Sequence, residues 1–150
     1  MTRAVSTVVD VSLAILLVSA AAVALVTIPA DEPDPPDPDA AARTVLASTV
    51  TVDYEPADER AASGRVSTLL AHAAVAADRD ETPEFVAAVA DTTGEVVAEE
   101  GGRVELVATA GGGTLRVGSR PPPDASVAAT THEVPANETP VTITVRTWSL

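Results

Sequence analysis

A chain of 150 residues has room for one modest domain and one further segment. It carries 22 Asp and Glu against 9 basic residues, all of them Arg, for a formal net charge of −13. Such a surface repels nucleic acid, which is excluded as a partner, and it repels anionic lipid headgroups. Cysteine is absent, which excludes disulfides, thiolate metal sites and cysteine catalysis. High net charge can mark disorder, but here it coexists with 46% hydrophobic residues, mostly Ala and Val. Acidic, lysine-free and rich in small apolar residues is the composition of a salt-adapted protein, whose carboxylates keep it soluble when salt screens repulsion.

Residues 1–30 are read as an N-terminal signal or transmembrane helix. Val11 to Ile28 contains no charge and is interrupted only by Ser12, Ser19 and Thr27. As a helix it spans about 27 Å, close to the thickness of a hydrocarbon core. Residues 8–30 would complete the crossing of a lipid bilayer. Arg3 and the terminal amine precede the run, and Asp31, Glu32, Asp34, Asp37 and Asp39 follow it. That asymmetry places the N-terminus in the cytoplasm and the domain outside the cell. A cleaved secretory signal is one reading, with Ala22-Val23-Ala24 as the small-residue cleavage site. A plain membrane anchor is another.

The start of the chain supplies a third. Arg3-Ala4-Val5-Ser6-Thr7-Val8-Val9 resembles the short class III signal of haloarchaeal type IV pilins and pilin-like proteins. The resemblance implies a prepilin-peptidase cut between Ala4 and Val5, with the apolar helix retained. Thr7 stands where many of these pilins carry Pro, and Asp10 where many carry Gly. A carboxylate in a bilayer costs several kcal/mol unless it is paired or near the interface. Asp10 is therefore a candidate subunit contact that neutralises the new Val5 amine of a neighbouring pilin-like subunit. The alternative is that it stays hydrated at the cytoplasmic interface.

Residues 31–42 are expected to form an acidic Pro-rich linker. With Pro29 and Ala30 it would hold the domain about 40 Å from the bilayer as polyproline II. The spaced acids and Gly of a calcium loop are missing. Residues 43–150 are expected to be an α+β extracytoplasmic domain. Thr44 to Tyr54 alternates as a strand, and Asp58 to Ala77 carries Val66, Leu69, Leu70, Ala73 and Ala77 at helical spacing. Thr82-Pro83-Glu84 reads as a cap, a first-turn Pro and a first-turn acid. The second helix then buries Phe85, Val86, Val89, Thr93, Val96 and Val97 and stops at Gly101. The alternative pairs Glu95–Glu100 with Arg103–Thr109 as a hairpin through Gly101-Gly102.

The remainder reads as strands: Arg103–Thr109; a short one marked by Leu115 and Val117; one marked by Val127, Ala129 and Thr131; and one from Val141 to Trp148. Turns fall at Ala110–Gly113, Pro121–Asp124 and Asn137. A meander of hairpins predicts an antiparallel sheet with two helices on one face.

Little here carries chemistry. Gly111–Gly113 lacks the Gly-Lys-Ser/Thr of a phosphate loop. His132 and Glu133 are adjacent in a strand and point to opposite faces, and His72 is the only other imidazole, so neither metal nor cofactor is expected. Asn137-Glu138-Thr139 is a candidate N-glycosylation site, with Pro140 behind it to reduce occupancy. The order of a pilin-like start, the Val45–Tyr54 strand, the Ser63–Val75 helix and the Val117–Ala125 turn is similar to a group of uncharacterised haloarchaeal membrane proteins associated with pilus-like secretion genes. The resemblance implies a non-enzymatic, single-pass accessory or minor-pilin role. The competing expectation is a membrane-tethered binding module that does not polymerise.

Overall fold

The computed structural model describes residues 34–54 and 60–149. The expectations for the apolar run, Ala4, Val5 and Asp10 lie outside them. The described body is α+β, with three helices and two antiparallel sheets.

Helix α1 spans Pro38–Ala47. Asp37 caps it, its Oδ1 accepting from the Asp39 amide at 2.9 Å, and Pro38 occupies the first turn, where its missing N–H costs nothing. Ala42, Val45 and Leu46 recur at i, i+3 and i+4 and are buried. This corrects two expectations. The Pro-rich linker ends at Asp37 rather than Ala42, and Thr44–Ala47 is helix rather than strand. The Asp-Pro-Asp that reads as spacer is a helix start, and burial of the three apolar residues outweighs the β-branched character of Thr44 and Val45.

Strand β1, Thr49–Tyr54, pairs antiparallel with β2, Arg60–Arg65, from Thr49↔Arg65 to Tyr54↔Arg60. The helix expected from Asp58 therefore begins only at Val66. Arg-Ala-Ala-Ser-Gly-Arg has no strong strand propensity, so pairing with β1 decides its conformation. Thr51 and Ser63 hydroxyls meet across the pair at 2.6 Å. The Val66 amide donates to Ser48 O at 2.9 Å, closing the ribbon where the next helix starts.

Helix α2, Val66–Asp78, buries Val66, Leu69, Leu70 and Ala73 as expected, and also Ala71, Ala74, Val75 and Ala76. Burial on nearly every side marks it as the central helix, and its alanines allow close approach from neighbours. Helix α3, Pro83–Glu99, runs unbroken to a stop at Gly101, so the Glu95–Glu100 hairpin does not form. Val89, Thr93 and Val97 are its buried stripe, and Phe85 packs edge-on against Tyr54 with ring centroids 5.1 Å apart. Thr82 is not a side-chain cap. It adopts φ 43° and makes no capping bond, because the chain reverses between α2 and α3 through left-handed Asp80 and Thr82.

Strands β3 (Val104–Ala110), β4 (Gly113–Gly118), β5 (Ser126–Ala136) and β6 (Thr139–Ser149) form the main sheet in the order β4-β3-β6-β5. It is not a meander. Two hairpins lie side by side, joined where β3 pairs with β6 from Val104↔Thr147 to Thr109↔Thr142. Val104, Leu106, Ala108, Val141, Ile143 and Val145 point into one core with Val45, Leu70 and Val89 from the three helices. Val127 sits on the opposite, outer face and is 46% exposed. The inner residues of β5 are the alternate ones, including His132, Val134 and Ala136.

Two contacts fasten the ends of the body. The Thr147 hydroxyl donates to Pro36 O, holding the entering chain beside the exit of β6. Asp78 Oδ1 accepts from the Gly112 and Gly113 amides at 2.8 Å each, tying the end of α2 to the β3–β4 turn. The three glycines therefore make room for a helix end, consistent with their failure to match a phosphate loop.

Candidate functional site

Side chains alternate along a strand, so the residues between the core positions of β3, β4 and β6 face outward together. Register then decides which of them meet. Glu105 lies opposite Arg146 on β6, and Arg116 lies opposite Val107, two positions along β4 from Glu105's partner Gly118. The Glu105 carboxylate, with a side chain only 2% exposed, accepts from Arg116 Nη1 at 3.3 Å on one oxygen and from Arg146 Nη1 at 3.1 Å on the other. The two arginines are about 40% exposed, so each has one end on Glu105 and the rest near water.

Because β4 and β5 lie at opposite edges, the Ser119–Ala125 connection must cross the ends of β3 and β6. It brings Arg120 and Pro121 to the same place. Together with Glu105, Arg116 and Arg146 they line a cavity of about 290 Å³. Three guanidinium groups face one carboxylate, leaving two unbalanced positive charges in a chain of net charge −13. Among the described residues Arg120 has no ion pair or hydrogen bond.

Two other concavities carry less. One of about 340 Å³ lies between α1 and β5 and is bordered by Arg43, Arg65, Ser67, His132 and Glu133. His132 Nε2 is buried there without a hydrogen-bond partner. The other, about 620 Å³, is an apolar groove where Ala77, Pro83, Val86, Ala90 and Leu115 meet, with Asp80 and Glu81 on its rim.

The residues singled out in the sequence do not converge. His72 is half-buried on α2, and His132 lies on β5. No group of three His, Asp or Glu among the described residues lies close enough to hold a metal ion. Asn137 is exposed at the first position of the two-residue turn between Ala136 and Thr139, with φ 56°. No sequence pattern predicts the cavity around Glu105. It takes an acid and two arginines at outward positions of three strands, which pairing order alone brings together.

Residues 9–147 match DUF7284, a family of unknown function. The chain belongs to that family. The matched segment begins at Val9, so it takes in the apolar run, the acidic segment and nearly all of the body, and leaves out Ala4 and Val5. Comparison with curated proteins and with solved structures finds no match.

Proposed function

We propose that the chain is a non-enzymatic, single-pass, membrane-anchored pilin-like component of an archaeal type IV pilus-like or secretion assembly, with its body outside the cell. The observation that carries this reading is the continuity of the family segment. It joins an 18-residue uncharged run to an α+β body without interruption, as a retained helix requires and a discarded signal does not. Salt adaptation fits the acidic, lysine-free composition.

A specific observation favours a second reading, a tethered module that does not polymerise: the residues that resemble a prepilin-peptidase site lie outside the shared family segment. N-terminal peptide mass spectrometry on the membrane-fractionated protein separates the two. The first reading expects a mature N-terminus at Val5, produced only when prepilin peptidase is present. An intact Met1 or Thr2 in the membrane fraction supports the second reading. Release of the body after a cut near Ala24 would sink both.

A further inference from the structure

The cavity around Glu105 has the chemistry of a carboxylate receptor. Each guanidinium offers five N–H donors in a planar fork that matches a carboxylate. Arg116 and Arg146 each direct one nitrogen to Glu105 and remain about 40% exposed, and Arg120 has no partner among the described residues. Buried Glu105 holds the first two in place, so an incoming acid meets donors that are already ordered. Arg120, from the crossing connection, completes the rim beside Pro121.

The source of the acid follows from charge. In an assembly of copies of this chain, almost every neighbouring surface is acidic, and this cavity is a place where cations outnumber acids. The densest acidic stretch is 31–39, with five acids and four prolines in nine residues. Asp37 and Asp39 of that stretch belong to the start of α1, where Asp37 also lies 4.0 Å from Arg43. Asp31, Glu32 and Asp34 precede the helix.

From this we infer that the cavity receives the carboxylates of the 31–34 segment of a second copy. The inference rests on the assembly reading above. A receptor and a ligand on different parts of one chain make a head-to-tail contact, which propagates into a ring or filament rather than closing a two-fold dimer. Net charges of −13 oppose approach, but at 1 M salt the screening length is about 3 Å, so long-range repulsion fades while contact pairs in a partly enclosed site persist.

The test uses the full chain in detergent and a fluorescent peptide of residues 29–36, read by anisotropy. Trp148, the only tryptophan and on the same strand face as Arg146, is a second reporter. The peptide is expected to bind, to weaken about tenfold with Arg120→Ala, and to lose binding when its three acids become Asn, Gln and Asn. Arg120 is exposed, so unchanged circular dichroism separates lost binding from lost fold. Equal binding by Arg120→Ala or by the neutral peptide overturns the inference. So does displacement by sodium sulfate at an ionic strength where chloride has no effect, which would make the cavity a general oxyanion site. Processing at Val5 with filaments that ignore Arg120→Ala would remove this inference and leave the assembly reading. Peptide binding without processing would leave an acid-binding cavity but overturn the assembly reading, and with it the contact between copies.

Discussion

The turn at Gly111–Gly113 permits a test in which Asp78→Ala should relieve one of two nearby glycine substitutions and not the other. Asp78→Ala removes the acceptor of two 2.8 Å bonds from Gly112 and Gly113. Such charge-assisted bonds are worth more when buried, but here the site is exposed and water replaces the carboxylate, so the pair together contributes about 1–2 kcal/mol. At Gly111 an added Cβ would lie 2.6 Å from Asp78 Oδ2 and 3.0 Å from Oδ1, at φ 53°. The carboxylate must swing away, forfeiting its bonds, and the left-handed backbone adds about 1 kcal/mol. Gly111→Ala should therefore cost about 2–3 kcal/mol alone and only about 1 kcal/mol in an Asp78→Ala background, a coupling of about 1–2 kcal/mol. At Gly113 the added Cβ would lie 2.8 Å from Asp78 Cα and 2.9 Å from its amide nitrogen. Those atoms remain in the alanine variant, so the steric part of the Gly113→Ala cost should persist there. Urea unfolding of the full chain in detergent, at one fixed salt concentration, measures all four corners of each cycle. If Asp78→Ala relieves Gly113→Ala as much as Gly111→Ala, backbone contact is not what excludes a side chain at 113. If Asp78→Ala alone leaves the midpoint unchanged, the clamp contributes nothing to stability.

Other substitutions test the rest of the body. Gly118→Ala should cost about 2–4 kcal/mol, because its Cβ would lie 2.3 Å from Val104 O at φ 90°; a melt within 2 °C of the parent would refute this. Gly94→Ala should stabilise by about 0.5–1 kcal/mol, since the nearest atom, Val117 Cγ1, is at an ordinary 3.9 Å and the position is inside α3; a loss of stability would mean the space is not there. Asn137→Gly should leave the urea midpoint nearly unchanged and Asn137→Val should lower stability by about 1–2 kcal/mol, because only the former suits φ 56°. The same Asn137→Gly change removes the glycosylation acceptor without disturbing the turn, so a glycan mass on the native peptide should vanish with it; an unmodified native Asn137 removes the sequon from consideration.

What the sequence made legible depended on whether local signal and tertiary demand agreed. Helix α3 carried both a start, Pro83-Glu84, and a stripe that the core uses through Val89, Thr93 and Val97. Strands β3 and β6 alternate, and the core takes one face of each. The failures fall where the two diverge. In 38–47 proline density outweighed the cap, the first-turn Pro and the Ala42-Val45-Leu46 spacing, although all three were present in the residues. In 60–65 no residue pattern announces a strand, and only β1 across the ribbon makes one. In β5 the apolar Val127 drew attention to the face that the fold leaves outside, because one register step exchanges the two faces.

The Glu105 cavity shows why a site can be invisible even when its strands are read correctly. Had β3 to β6 run as a consecutive meander, β6 would lie three strands from β3. At about 4.8 Å per strand Arg146 would then be about 14 Å from Glu105, beyond the reach of a direct ion pair. The order β4-β3-β6-β5 places both arginine strands next to β3. It also forces the Ser119–Ala125 connection across the sheet end, which delivers Arg120. One topological choice therefore assembles all three cations around the acid, and no local pattern in the strands records it. The same choice makes the cluster a sensitive reporter of topology: cross-strand coupling between Glu105 and both Arg116 and Arg146 in double-mutant cycles is available only to a sheet with β3 at its centre.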